Sequence, residues 1–273
     1  MIVCFVPYDE NICSYMTVKI VLIGAGNVGY HLGRRLKEAG LQVVQIFSRQ
    51  EAHARRLAKE IQVPFVTDLA QVVTDAELYI LAVNDGAMNE VAAQLQVRNG
   101  LVVHTSGGTP SAILQPYFPR FGVLYPLQTF SLTRPIDFTP IPICVCANNT
   151  ADEDFLFKLG SIISQNVYKI NDNQRAVLHV AAVFVNNFTN YLFQIGYDIL
   201  QQENLSFDLL RPLILETAAK IQSHAPAEMQ TGPAVRGDAE TVERHLAYLE
   251  KFSEYQNVYQ LLTNHIQKNI IIS

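Results

Sequence analysis

The sequence predicts an α/β fold: a mostly parallel sheet with helices on both faces, followed by an all-helical C-terminal domain. Three observations predict it. Short apolar runs alternate with amphipathic helical patterns through the first half of the chain. The first run, Val18-Lys19-Ile20-Val21-Leu22-Ile23, leads directly into Gly24-Ala25-Gly26-Asn27-Val28-Gly29 and a helix pattern. After about residue 170 the strand patterns stop and helical ones follow.

The elements follow in order. Strands are expected at Val18–Ile23, Val43–Phe47, Pro64–Val66, Leu78–Val83 and Leu101–His104, with helices at Val28–Glu38, Ala52–Ile61 and Met88–Leu95 between most of them. Shorter strands are expected at Gly122–Tyr125, Ile143–Ala147 and Val167–Lys169. Pro116, Pro119, Pro126, Pro135, Pro140 and Pro142 mark the stretch from 116 to 142 as loop-rich. Helical patterns then lie near 172–203, 206–223, 238–250 and 253–268. The domains implied are 1–170 and 171–273.

Composition narrows the function classes. The chain has 273 residues, 49% of them hydrophobic, enough to bury a core in two domains. A net charge of −5 and the lack of a basic run argue against a nucleic-acid surface. Cys4, Cys13, Cys144 and Cys146 form no C-x-x-C pair. Cys144 and Cys146 share a strand pattern and are read as facing opposite ways, so neither a metal site nor a disulfide framework is expected. A reducing, cytoplasmic setting fits this usage. Residues 1–16 carry no basic segment ahead of an apolar run and are read as an extension, not a signal peptide, with Met16 as the expected natural start.

The glycine pattern G-x-G-x-x-G has a physical logic. Gly24 permits the tight turn out of the strand, Gly26 lets a pyrophosphate approach the backbone, and Gly29 lets the helix pack close to the sheet. Gly24, Gly26, Asn27, Val28 and Gly29 are therefore assigned to a dinucleotide phosphate at a helix N-terminus. The second strand ends in Ile46-Phe47-Ser48-Arg49-Gln50, with no acidic residue for a ribose 2′-hydroxyl. Ser48 and Arg49 suit a 2′-phosphate instead, which favours NADP (NADPH) over NAD. Arg55 or Arg56 approaches from the next helix.

Two more strand ends carry small polar groups. Asn84 follows the fourth strand, and His104-Thr105-Ser106-Gly107-Gly108-Thr109 closes the fifth. Asn84 and Ser106 are assigned to the nicotinamide ribose, and His104 is read as a hydrogen-bonded structural histidine in preference to a proton donor. On the long helix, at about 100° per residue, His179, Asn186 and Asn190 fall within about 40°, and Tyr197 joins them. Phe184, Phe188, Ile195 and Ile199 lie opposite, and no charge occurs between Arg175 and Asp198. This uncharged stripe reads either as a shielded site facing a reactant or as a network between packed helices or subunits. Asparagines and glutamine interrupt the helix, so it is not read as a membrane span. Gln128 and Arg236 are looser substrate candidates, and Asp238 is expected to cap a helix.

The glycine fingerprint, His104–Gly108, Tyr125-Pro126-Leu127-Gln128-Thr129-Phe130-Ser131, the helix from Arg175 through Asn187, and Thr231-Gly232-Pro233-Ala234-Val235-Arg236-Gly237-Asp238 occur in this order over about residues 17–268. Together they resemble the bacterial Rossmann-like proteins with a DUF2520 C-terminal domain, labelled NADP oxidoreductases. The pattern is more distantly similar to pyrroline-5-carboxylate reductase and the β-hydroxyacid dehydrogenases. The resemblance implies a Rossmann-type sheet, hydride transfer from NADPH to a C=O or C=N group of a small-molecule substrate, and a homodimer formed through the helical domain. The β-hydroxyacid dehydrogenases use a lysine with an asparagine four residues on; here His179 and Val183 are the nearest counterparts, so the lysine mechanism does not carry over.

The expectation is an NADP-dependent oxidoreductase with its active site between the domains. His179, Asn186 and Asn190 face the reacting group, and no metal or membrane is involved. The alternative is an NADP-binding redox sensor or structural partner without turnover.

Overall fold

The computed structural model describes residues 18–270. The expected extension at residues 1–16, with Cys4, Cys13 and the start at Met16, lies outside the described residues.

The α/β part runs β1 (Lys19–Ile23), α1 (Asn27–Glu38), β2 (Gln42–Phe47), α2 (Glu51–Ile61), β3 (Phe65–Val66), β4 (Leu78–Leu81), α3 (Met88–Gln94), β5 (Leu101–His104), β6 (Phe121–Pro126), β7 (Ile143–Ala147), α4 (Thr150–Ile163) and β8 (Val167–Lys169). The sheet has eight strands in the order β3-β2-β1-β4-β5-β6-β7-β8. Neighbours are parallel except β6 and β7, which are antiparallel. The chain winds outward from β1 to β3, then crosses back to place β4 on the other side of β1. The switch point thus lies between β1 and β4, and open α/β sheets bind ligands at such a point, beyond the strands' carboxyl ends. Register aligns those ends: Ile23 pairs with both Phe47 and Leu81, and Leu81 with His104.

A parallel sheet covered on both faces needs apolar residues on both. Ile20 and Leu22 enter one buried cluster with Leu32, Leu36 and Leu57. Val21 and Ile23 enter the other with Tyr79, Met88 and Val91. Helix α1 stops where the pattern places its end. Gly40 takes φ +77°, its N–H bonds Lys37 O, and the Leu41 N–H bonds Leu36 O. That pair of bonds is a Schellman closure.

Cys144 and Cys146 are free and buried. The expectation that they face opposite ways is corrected: residues two apart in a strand share a face, and Val145 between them takes the other. Burial pushes both thiols up to about 11, so they remain protonated.

The helical part begins with α5 (Asp172–Ala182), which opens on a capping box between Asn171 and Gln174. A π-helical turn (Val183–Phe188) follows, then α6 (Thr189–Gln202), α7 (Arg211–Lys220), α8 (Pro233–Arg236), α9 (Ala239–Tyr248) and α10 (Ser253–Ile270). Among the described residues no strand follows Lys169. Helix α8 falls between the helical patterns expected near 206–223 and 238–250. Asp238 accepts from Thr241 N at 3.1 Å and so caps α9, as read from the sequence.

Two compact units divide between Asn186 and Asn187. Asp172–Asn186 therefore belong with the sheet unit, although they follow the expected boundary at 170. Among the described residues the buried apolar side chains of the second unit are few: Ala234, Val242 and Leu249. Phe184, Phe188, Tyr191, Leu213 and Leu215 are exposed in the single chain. In the single chain the most apolar window of Asp172–Gln202 has none of its residues buried. By length and composition alone that helix is long and apolar enough to cross a membrane.

Candidate functional site

The turn from β1 into α1 has the shape its glycines imply. Gly24 takes φ +108°, and a Cβ there would meet Ala82 O at 2.3 Å. A Cβ on Gly29 would meet Gly24 O at 2.0 Å, so strand turn and helix touch backbone to backbone. Gly26 differs: a Cβ on it would have no neighbour within 4 Å. Glycine at 26 therefore keeps open a space the protein itself does not fill. Gly26 is the N-cap of α1, with no side-chain cap and no acidic residue in the first turn. The first N–H groups of the helix, from Asn27 and Val28 onward, stand at this opening, as binding of a pyrophosphate requires.

Beyond β2, Ser48 is buried, and its Oγ accepts from Gln50 N at 3.3 Å. Arg49 is exposed, with Glu90 Oε2 at 3.9 Å as its ionic neighbour. Arg55 and Arg56 are committed elsewhere. Arg55 pairs with Glu51 and lies over the Phe65 ring. Arg56 donates to Leu132 O at 3.1 Å and lies 4.6 Å from the Tyr30 ring centroid. The residue types beyond β2 fit an adenosine phosphate, with Arg49 as the cation.

Asn84 is exposed, and its carbonyl accepts from Ala87 N to start a short 3-10 turn. Ser106 is buried. Its Oγ donates to Thr109 Oγ1 at 3.0 Å and accepts from Thr109 N at 3.0 Å. That hydroxyl shapes the loop after β5. His104 beneath it is fully buried, and its Nδ1 accepts from Ser106 N at 3.2 Å. Burial, reinforced by the Arg175 charge, lowers its pKa to about 4. A neutral, loop-supporting histidine matches the structural reading.

One face of α5 closes over that loop. Asp172, Arg175 and His179, at i, i+3 and i+7, share it. Asp172 Oδ2 accepts from Ser111 N at 2.8 Å and from Ser111 Oγ at 2.9 Å. Arg175 is 1% exposed. It donates to Asp172 Oδ1 at 2.7 Å, to the Thr109 carbonyl and to Cys146 Sγ at 3.5 Å. His179, a turn later, approaches Tyr125 on β6, with 3.5 Å between Nδ1 and the phenol oxygen and ring planes at 73°. Gly107 lies against both: a Cβ there would stand 2.6 Å from His179 Nδ1 and 2.7 Å from Tyr125 Cζ. Burial raises the Tyr125 pKa above its usual value, so the phenol stays protonated.

The structure thus brings His179 to the loop that carries Ser106, Gly107 and Gly108. Asn186 lies in the π turn and Asn190 beyond it; both are exposed in the chain. The arithmetic that aligned Asn186, Asn190 and Tyr197 with His179 assumed an unbroken α-helix. A π turn inserts an extra residue into the hydrogen-bond ladder, so that phase does not run through it. Gln128 is exposed, and its Oε1 accepts from Thr129 N at 2.8 Å. Arg236 ends α8 and is exposed.

Sequence reasoning missed Tyr125, Thr109, Asp172 and Arg175. A signal existed for the last two: Asp172 and Arg175 lie on the helical face of His179. Nothing local in the sequence pairs Tyr125 with a helix 54 residues later.

A family model described as a Rossmann-like domain matches residues 7–128. A second, described as a domain of unknown function (DUF2520), matches residues 141–266. No curated protein matches the chain. Among solved structures it is similar to a "putative NADP oxidoreductase" of Bacteroides fragilis, with 40% identity over 92% of this chain and 98% of that one, at a TM-score of 0.88. It shares its fold with an imine reductase of Myxococcus stipitatus, solved with NADP+, at 14% identity, 93% and 95% coverage and a TM-score of 0.66. A pyrroline-5-carboxylate reductase of Coxiella burnetii shares it at 14% identity, 92% and 98% coverage and a TM-score of 0.58. The chain belongs to the Rossmann-like/DUF2520 family.

Proposed function

We propose that the protein is an NADP-dependent oxidoreductase acting on a small C=O or C=N substrate. The observation that carries this reading is the space at Gly26, open at an uncapped helix N-terminus, with a buried Ser48 and an exposed Arg49 following the neighbouring strand β2. The name of the Bacteroides fragilis relative agrees with it.

Gly24, Gly26, Asn27, Val28 and Gly29 would hold the pyrophosphate, Ser48 and Arg49 the 2′-phosphate, and Asn84 and Ser106 the nicotinamide ribose. Ser106 would do so through the loop it shapes. When bound, the dinucleotide supplies hydride. His179 supplies the proton, Asn186 and Asn190 act with it, and Gln128 and Arg236 are weaker substrate contacts. Position and a proton are what these residues offer. Two copies associate through the C-terminal helices, whose exposed Phe188, Tyr191, Leu213 and Leu215 need cover. We place the protein in the cytoplasm, with neither a membrane nor a nucleic acid as partner.

Titration with NADPH and NADH, followed by an NADPH-consumption screen over imines, 2-keto acids and β-hydroxyacids, tests the reading. Arg49→Glu is expected to weaken NADPH much more than NADH. His179→Ala is expected to spare cofactor binding and lower turnover. An unchanged preference in Arg49→Glu refutes NADP as the cofactor. Binding without turnover on any substrate class favours the sensor reading.

A further inference from the structure

We propose that Tyr125 is the positioning residue for His179: its phenol oxygen accepts from Nδ1–H and leaves Nε2 as the nitrogen that exchanges a proton with the substrate. This rests on the oxidoreductase reading above for the identity of the reaction, and on geometry for the roles of the two rings.

The geometry separates the two nitrogens. Nδ1 faces Tyr125 Oη at 3.5 Å. Nε2 lies on the Gly108 side, 3.7 Å from where a Cβ of Gly108 would stand, and makes no hydrogen bond among the described residues. A 3.5 Å contact is long, as pairs of this kind are before the reacting complex tightens them. The ring nitrogen that carries the proton is set by the hydrogen bond its partner nitrogen makes. An imidazole that must give and regain a proton at Nε2 needs its other proton kept on Nδ1 by an acceptor. A phenol of raised pKa serves that role without itself ionising. Gly107 completes the arrangement, because any side chain there would enter the space between the rings.

The step balances. Nε2 of the imidazolium releases its proton to the oxygen or nitrogen of the C=O or C=N group as the carbon gains hydride from the nicotinamide. The ring is left neutral, with its remaining proton on Nδ1 against Tyr125, and solvent returns a proton to Nε2.

Long-range 1H–15N spectra of the histidine rings test this without any substrate. His179 is assigned by its loss in His179→Gln, and spectra are recorded where the rings are neutral. A free histidine side chain favours the Nε2–H tautomer. His179 is expected as Nδ1–H in the wild-type protein and as Nε2–H in Tyr125→Phe. Gly107→Ala, which pushes the rings apart while keeping both, is expected to shift the tautomer the same way and provides the comparison if Tyr125→Phe does not fold. An Nε2–H ring in the wild type, or the same tautomer in wild type and variant, overturns the proposal. NADPH titration of the wild type is read separately: absence of binding removes the oxidoreductase reading but leaves the tautomer result to decide the ring assignment. Where turnover is found, Tyr125→Phe is expected to lower kcat with the KM for NADPH unchanged; a KM effect alone overturns the positioning role.

Discussion

Arg175 on α5 donates to the Thr109 carbonyl in the loop after β5, and its side chain is almost wholly buried in doing so. The bond fastens the glycine loop to the helix that presents His179 one turn later. A guanidinium is suited to this, since its planar fork bonds the loop carbonyl and Asp172 at once. His179 and the loop beneath it are therefore positioned by one buried cation.

Breaking that arrangement from the acidic side should be costly. Asp172→Asn removes the charge that balances Arg175, and an unbalanced buried cation destabilises by about 2–4 kcal/mol. Urea unfolding measures it; a change under about 0.5 kcal/mol rejects the argument. The pH dependence has a definite sign. Burial raises the Asp172 pKa, but the hydrogen bonds from Arg175 and Ser111 outweigh it, and the net shift is downward from 3.8. A depressed carboxyl stabilises the fold above its unfolded value and loses that contribution as pH falls below 3.8 through the lower folded value. Asp172→Asn should not show this loss.

Gly26 and Gly29 should behave differently although one motif contains both. Gly26 has an ordinary backbone, φ −72° and ψ −166°, and open space where a Cβ would go. Gly26→Ala is expected to change stability by no more than about 0.5 kcal/mol and to reduce NADPH affinity by about tenfold or more, roughly 1.4 kcal/mol. Gly29→Ala collides with Gly24 O at 2.0 Å and should destabilise by several kcal/mol, since backbone must move. Thermal unfolding and NADPH titration of both variants decide this. Equal loss of stability would show that Gly26 serves packing instead of a ligand.

The sheet was legible because its signals are local. Strand β1, the glycine turn and α1 with its Gly40 stop lie within about two dozen residues, each with its own steric reason. The short β7 and β8 were legible too, as apolar runs set between turn signals. The helix face at Asp172, Arg175 and His179 was half legible: the spacing was present, but Arg175 gave no sign that it would be buried. Tyr125 was beyond reach, because its partner comes from a distant helix. The π turn at Val183–Phe188 was also hidden, since its residues satisfy an α-helical pattern equally well, and it broke the phase on which Asn186 and Asn190 were joined to His179.

Glu90 is the acidic neighbour of Arg49, at 3.9 Å, with both side chains more than 60% exposed. Such a pair is worth about 0.2–1 kcal/mol at most, so Arg49 remains available to a phosphate, while Glu90 opposes the approach of that phosphate. Glu90→Gln is expected to tighten NADPH about two- to fivefold, within that range, with little change for NADH. The gain should fade as salt is raised. Equal tightening of both cofactors would separate Glu90 from the 2′-phosphate.

His104 should leave a mark on stability between pH 4 and 6.5. It is fully buried; burial first, and the Arg175 charge second, hold its folded pKa near 4 against an ordinary 6.5. Protonating it would place a second cation in the core beside Arg175, a cost that the Pro110 backbone carbonyl offsets only in part. Between those values the unfolded chain binds a proton that the folded one refuses. Stability therefore rises with pH through this window, by up to about 1.4 kcal/mol per unit from this group. Below pH 4 the folded state also takes the proton and the slope ends. His104→Asn keeps an acceptor near the Nδ1 position for the Ser106 N–H and has nothing to titrate. Its stability, followed by urea unfolding from pH 4 to 7, should lack this component of the slope. The chain's other histidines contribute equally to both proteins, so the difference isolates His104. Parallel curves would mean that His104 is protonated in the folded protein, and that the loop carrying Gly107 rests on a charge instead of a neutral ring.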